Sequence, residues 1–328
     1  MAELELTLAL VPNYDRTGPL LERRVQPEGI RFAAEGFTAA GEIFRRVAQR
    51  AEWDVAEMSV STFMVMCARH DDRYVGLPIF PSRSFRHQSM WVRADSDITR
   101  PEQLAGKRIG VTEYQQTATM WIRGILADEY SVRTEDVQWV TGGLEGFEPE
   151  RYPIELPPRF KLETIPPNEG LDGLLQRGGI DALIGARPPP SFLRGEPHVR
   201  RLIPDYRPVE REYYRRTGYF PIMHLMVLRR SVYQEHPWTV GAIYRAFERV
   251  KDAGLARLRD PGSPACSLPW ITADMEEVRD LFGGDAFPYG VARNRQQLEY
   301  MLQMGYDQGV LPRPVRLDEL FPAEALTT

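Results

Sequence analysis

Between Pro78 and Arg93 the chain reads PIFPSRSFRHQSMWVR, which sets Arg83, Arg86 and His87 close together just before an alternating stretch. A guanidinium fork pairs with a carboxylate through two parallel hydrogen bonds, and an imidazole exchanges a proton near neutral pH. Such a cluster suits an acidic small molecule, although a solvated basic loop uses the same residues. Glu57, in the run EMSVST, is expected at the carboxyl end of a strand, where open α/β sheets keep ligands; a carboxylate facing the dipole of the next helix is the alternative. His224 interrupts the apolar run from Phe220 to Leu228 and is either a satisfied core group or a proton carrier. Thr117 opens a helix directly after a strand, so the backbone N–H groups there would seat a carboxylate. Arg187 closes another strand, before three prolines that fix the chain's exit.

The elements that must position these residues are legible as period. Leu4 to Val11, Ile30 to Ala34 and Trp53 to Met58 read as strands, separated by a helix carrying Leu20, Leu21 and Val25 and by a helix over Thr38 to Arg50 with Ile43, Phe44, Val47 and Ala48 on one face. This βαβαβ pattern predicts a parallel sheet with right-handed crossovers. An apolar helix to Ala68 and a strand over Tyr74 to Phe80 follow. The organisation restarts near Asp95: a strand over Arg108 to Val111, a helix over Ala118 to Glu129 and a strand over Val137 to Thr141. The proline-rich stretch Phe147 to Pro167 is expected as an ordered excursion or lid. Strands at Ile180 to Ile184 and Val199 to Ile203 precede a helix over Pro208 to Thr217. Long helices over Trp238 to Leu258, Asp274 to Phe282 and Arg293 to Gln308 fill the remainder.

At 328 residues the chain is long enough for two cores. A net charge of -5 with 27% charged residues carries no basic excess to recommend nucleic acid or a membrane surface. Cys67 and Cys266 lack CxxC spacing, and neither HxxxH nor HExxH occurs, so neither a disulfide framework nor a metal site is expected. The first residues, MAELELTLALVP, alternate like a strand and lack a signal peptide's basic and apolar regions, so a cytoplasmic protein is expected. The restart at Asp95 and a core-like strand near Met223 predict a discontinuous α/β protein of two lobes, 1-93 with 223-328 and 94-222. The ligand cleft would lie between them, reached by His87 and His224 from the hinge strands and by Thr117 and Arg187 from the second lobe. Bulky Trp238, Tyr244 and Phe247 would serve equally as core or as a face pairing two chains in a homo-oligomer.

The runs YDRT at Tyr14 to Thr17, EMSVSTF at Glu57 to Phe63, FPSRSFRH at Phe80 to His87, GKRIGVTEYQQTATMWIRGIL at Gly106 to Leu126 and FPIMH at Phe220 to His224 resemble the 4,5-dihydroxyphthalate decarboxylase family. The resemblance covers essentially the whole chain and implies a type 2 periplasmic-binding-protein-like fold. Departures at Thr112, where the family's pattern has proline, and around Gly146 to Leu156 bear on substrate identity. The activity implied is loss of one carboxylate from a dihydroxylated aromatic diacid, giving 3,4-dihydroxybenzoate without an organic cofactor. His87 or His224 would deliver the proton, with Glu57 either orienting a histidine or receiving the phenolic proton. Arg83, Arg86, Arg187 and the Thr117 helix start would grip the carboxylates, with Arg16 and Tyr114 as further contacts. A non-catalytic binding protein for a small aromatic acid, and an enzyme of the same scaffold acting on another ring, are the alternatives.

Overall fold

Alternation in the first strand sets the frame: Leu6, Leu8 and Leu10 turn into the core, and period two puts them on one face. The computed structural model describes residues 3–12, 14–146, 152–263 and 265–328. In chain order the strands are β1 (Leu4–Leu10), β2 (Ile30–Gly36), β3 (Val55–Ser59), β4 (Tyr74–Arg83), β5 (Met90–Arg93), β6 (Arg108–Val111), β7 (Gln138–Thr141), β8 (Lys161–Thr164), β9 (Ala182–Ile184), β10 (Val199–Arg201) and β11 (Ile222–Arg229). The chain divides into two compact units, Met1–Arg83 with Ile222–Glu299 and Val315–Thr328, and Ser84–Pro221 with Tyr300–Pro314.

The first unit holds a five-stranded sheet in the order β2-β1-β3-β11-β4. β1 runs parallel to β2 and β3, as βαβ connections require, whereas β11 enters antiparallel between β3 and β4. The expected helix over Leu20 to Val25 is a single turn, Gly18–Leu21, stopped as the chain reaches Arg23 with φ +59. The helix Ala40–Arg50 buries Ile43, Phe44, Val47 and Ala48, as its period predicts, and each of its large apolar side chains contributes about 2 kcal/mol. The helix Val60–Ala68 follows β3 without a break and is buried on nearly every side, so it reads as a continuous apolar run. A loop at Phe287 to Gly290 is tied to β4 by the Gly290 N–H, which donates to the Pro78 carbonyl at 2.8 Å. Gly290 takes φ +95, and a side chain there would meet the Thr328 carbonyl.

The second unit holds a six-stranded sheet in the order β10-β5-β9-β6-β7-β8. β6, β7, β8 and β9 run parallel to one another, and β5 runs antiparallel to β9 and β10. Trp91, Val140, Leu171, Leu175, Ile180 and Leu183 centre its core. Residues 84–93, expected with the first lobe, group with this unit because β5 is an inner strand of its sheet. Residues 300–314 also group here: Gln308 accepts hydrogen bonds from Arg123 Nε (2.8 Å) at its side chain and from the Tyr114 hydroxyl (2.9 Å) at its carbonyl. The expected excursion over Phe147 to Pro167 contains β8, an exposed edge strand without hydrophobic alternation; its residues 147–151 lie outside the described residues.

Candidate active site

Glu57 is the third residue of β3 and fully buried. A carboxylate without water must collect hydrogen-bond donors. Two converge on it. The Val11 N–H, at the end of β1, donates to Oε2 at 3.1 Å, and His224 Nδ1 lies 2.6 Å from Oε1. The Tyr14 phenol lies near enough to feel the Glu57 charge. With the carboxylate ionised, Nδ1–H is the donor, which fixes the His224 tautomer and leaves Nε2 for chemistry.

β11 places the imidazole. His224 pairs with Ser59 on β3 and Ser82 on β4, and the β4 register shifts on both sides of it, between Ile222 and His224 and again between His224 and Met226. Bulged pairing of this kind re-aims a side chain. Phe44 meets the imidazole edge-on at 4.7 Å between ring centroids. The His224 side chain keeps 17% exposure while Glu57 has none, so the pair has a buried end and an accessible end.

Arg16 is clamped beside the same network. Its guanidinium lies 3.9 Å from the Phe287 ring centroid and 4.7 Å from that of Tyr14. Nε donates to the Pro81 carbonyl at 2.7 Å and Nη1 to Asp15 at 2.8 Å; Nη2 is the donor that neither bond uses. Burial, then the Glu57 charge, hold the Tyr14 phenol well above its ordinary pKa, so it stays protonated. The sequence offered Arg16 and Glu57 as site residues, Glu57 at the carboxyl end of its strand rather than at the middle of β3 where it lies, and did not offer Tyr14, Ser82 or the Val11 amide. The only signal was Tyr14 in a polar turn at the end of β1.

Arg83 ends β4 and is turned onto the loop and helix that follow it in the first unit. It donates to Asn294 Oδ1 (2.6 Å), the Pro288 carbonyl (2.8 Å) and Gln297 Oε1 (3.2 Å). That geometry anchors the Phe287 to Gly290 loop, and through Phe287 it supports Arg16.

The second unit carries the remaining expected residues, and they do not form one cluster. His87 opens a 3-10 turn and is 1% exposed, packed on Tyr213 at 5.0 Å, with neither ring nitrogen hydrogen-bonded among the described residues. Burial pushes its pKa down to about 4, with Glu129 opposing and Arg216 assisting. Next to it Glu210 accepts the Gln88 N–H at 3.2 Å and is pushed up to about 7 by burial, with backbone donors and Arg86 opposing. Arg86 itself is buried. Tyr114 is also buried, its hydroxyl committed to Gln308 and its ring 3.9 Å beneath Arg123. Thr117 is the first residue of the helix Thr117–Tyr130, whose start has no side-chain cap. Arg187 is exposed and lines a cavity of about 490 Å³ with Leu144, Glu145, Pro188, Pro190 and Leu193. A smaller cavity, about 280 Å³, is lined by Thr112, Thr141 and Thr164 at the carboxyl ends of β6, β7 and β8.

His87 yields a stability prediction. Between its ordinary pKa of 6.5 and about 4 the unfolded chain binds a proton that the folded chain refuses. Its contribution is therefore full above pH 6.5 and is lost as pH falls to about 4, a loss of at most ~3 kcal/mol. Glu210 runs the other way: its contribution is present below its ordinary value of 4.5 and lost as pH rises through about 7. The His87→Phe variant, which keeps a ring of similar size, should match the parent's thermal unfolding at about pH 7.5 and exceed it at about pH 4.5. Equal acid sensitivity of the two proteins would contradict this.

No protein-family model matches the sequence. The chain is 39% identical over 331 aligned positions to a 4,5-dihydroxyphthalate decarboxylase of Comamonas testosteroni, covering 99% of this chain and 98% of that one. It belongs to the 4,5-dihydroxyphthalate decarboxylase family. A family relative from Pseudomonas putida is 38% identical over 222 positions, 67% of this chain and 84% of the relative.

Among solved structures, the periplasmic aliphatic sulphonate binding protein SsuA from Escherichia coli matches with a TM-score of 0.55 at 13% identity, over 98% of this chain and 92% of that one. The desulfurization enzyme DSZB matches at 0.53 and 18% identity, over 99% and 98%. At these identities the likeness establishes the fold alone: this decarboxylase-family chain has the two-lobed α/β fold of periplasmic binding proteins. Among its described residues no three His, Cys, Asp or Glu side chains group with metal-ligand geometry, and no helix is long and apolar enough to cross a membrane. What Glu57 and His224 offer is an oriented imidazole backed by a carboxylate, an arrangement suited to general acid-base chemistry.

Proposed function

We infer that the protein removes one carboxylate from 4,5-dihydroxyphthalate, forming 3,4-dihydroxybenzoate and carbon dioxide in aromatic catabolism, with His224 as the proton donor to the ring. The hydroxyl para to the departing carboxylate releases its proton to solvent as it supplies electrons, and the same oxygen recovers a proton from solvent once the ring is aromatic again. Proton transfer from His224 Nε2 to the ring carbon gives a dienone whose tetrahedral carbon carries hydrogen and carboxylate. Cleavage of the carbon–carboxylate bond releases carbon dioxide and returns the electron pair to the ring and the phenolic oxygen. A dianion becomes a monoanion, so one proton is taken from solvent per turnover. Because the para hydroxyl is the electron source, the route asks for no organic cofactor.

Within a member of this family, the observation that carries the assignment of His224 is its 2.6 Å hydrogen bond to the buried Glu57. Glu57 acts as orienter rather than as phenolic base, since one of its oxygens is engaged by His224 and the other by the Val11 N–H. The imidazolium that donates the proton is held charged by that carboxylate and becomes neutral imidazole on transfer, and a positioned acid of this kind is worth about 10²–10⁴ in rate. Arg16, rigid between two rings with Nη2 uncommitted among the described residues, is the cation for the retained carboxylate. His87, buried and neutral at pH 7, is left out of the proton path. A catabolic enzyme of this kind works in the cytoplasm.

Incubation of the purified chain with 4,5-dihydroxyphthalate should release one carbon dioxide for each 3,4-dihydroxybenzoate formed. Tight binding without turnover would favour a binding protein for an aromatic acid. Absence of binding would remove this substrate from the reading.

A further inference from the structure

Lys251 is a buried charged group to which neither the proton path nor the carboxylate contact gives a task. It lies within the helix Thr239–Arg259 with its side chain 2% exposed, and an ammonium taken out of water must be given a partner. Nζ donates to Asp285 Oδ2 at 2.8 Å and stands 4.9 Å from the centroid of the Tyr289 ring. The other oxygen of Asp285 accepts the Phe287 N–H at 2.9 Å. One carboxylate therefore ties the helix to the backbone of the residue whose ring lies 3.9 Å from the Arg16 guanidinium. The competing charges are weak claimants, since Asp252 lies 3.7 Å from Nζ and Arg293 3.7 Å from Asp285, both exposed. On the same face of the helix, Gly254 packs so closely that a side chain there would meet the Asp15 carbonyl at 3.1 Å. Arg16 Nη1 donates to the carboxylate of that same Asp15. The helix face of Lys251 and Gly254 thus backs both neighbours of Arg16, the Phe287 ring through Asp285 and Asp15 through its backbone.

We propose that Lys251 is a positioning residue for substrate binding, fixing through Asp285 the Phe287 ring against which Arg16 presents Nη2 to the retained carboxylate. The inference rests on the assignment of Arg16 as the cation for that carboxylate. Apolar residues of similar volume would match a buried ion pair in stability; the directed pair instead sets where the Phe287 backbone lies. Arg16 holds the carboxylate that stays on the ring, so its displacement weakens the ground state and the transition state alike. The consequence is a raised KM at nearly constant kcat. Lys251→Met keeps the length of the stem and removes the charge. Losing an aligned hydrogen bond between two charged groups corresponds to about tenfold in KM.

A double-mutant cycle on the full chain with 4,5-dihydroxyphthalate tests this. Lys251→Met should raise KM about tenfold in the parent, with kcat within about twofold, and raise it less than about twofold in the Arg16→Gln background. Equal rises in both backgrounds would overturn the proposal, as would a lowered kcat at unchanged KM, the mark of a smaller folded fraction. Phe287→Leu leaves the ion pair whole and should reproduce the rise in KM, which keeps the proposal open to test where Lys251→Met does not fold; an unchanged KM in Phe287→Leu overturns it. A further readout does not need turnover: the proton NMR signal of the Arg16 Nε–H, bonded to the Pro81 carbonyl and lying beside the Phe287 ring, should move in Lys251→Met. An unmoved signal overturns the positioning role. If the parent is silent on 4,5-dihydroxyphthalate while that signal responds, the substrate has been misassigned and the positioning of Arg16 by Lys251 stands.

Discussion

His224→Gln should lower kcat on 4,5-dihydroxyphthalate by about 10³-fold, near the middle of the range for loss of a positioned general acid, with KM changed little. Glutamine spans a similar length and its amide can still bond to Glu57, so the β3–β11–β4 pairing around it survives. What is lost is a group that releases a proton to carbon and recovers it from solvent. Because His224 is an accessible member of the network while the core beneath it is built from β3, the helix Val60–Ala68 and Phe44, the variant should retain the parent's thermal unfolding within a few degrees. Steady-state kinetics with a matching thermal scan checks both halves. A His224→Gln enzyme with more than about a tenth of parental kcat would remove the imidazole from the proton path.

Glu57→Gln should cost about 10²–10³ in kcat and also some stability. The carboxylate is acceptor-only, and two donors meet it, one on each oxygen; an amide offers one acceptor oxygen and an NH₂ that is itself a donor. Whichever way the amide turns, its NH₂ faces either the Val11 N–H or His224 Nδ1–H. If the NH₂ faces His224, Nδ1 must stay unprotonated to accept from it, so the imidazolium that serves as proton donor through Nε2 is disfavoured. A buried donor left unpaired costs about 1–3 kcal/mol, so thermal unfolding should drop measurably, unlike that of His224→Gln. A Glu57→Gln protein that is destabilised yet turns over normally would leave Glu57 a structural acid and nothing more.

The fold was readable in the sequence to the degree that period and punctuation carry it. The helix Ala40–Arg50 declares itself by Ile43, Phe44 and Val47, and β6 by its short apolar run after Gly106. β8 was not readable: its four residues are all exposed at a sheet edge, so no hydrophobic alternation marks them, and only their pairing with β7 makes them a strand. The grouping of residues 300–314 with the second unit depends on Gln308, a polar residue whose partners lie on a distant helix and strand end. Glu57 and His224 were visible as chemistry-bearing residues in apolar runs. Their pairing was not, because the 167 positions between them close only through the antiparallel entry of β11 between β3 and β4. Arg83, conspicuous in its basic cluster, is committed to Asn294 and Gln297 through contacts more than 200 positions away, which no local pattern announces.

The choice between the two histidines is the most direct test of this account. Single-turnover decarboxylation should be followed side by side for the parent, His224→Gln and His87→Phe, with carbon dioxide and 3,4-dihydroxybenzoate quantified and folding verified for each. The account predicts that His87→Phe turns over within a few-fold of the parent while His224→Gln falls by about 10³. The reverse pattern, with His224→Gln active and folded His87→Phe inert, would contradict it.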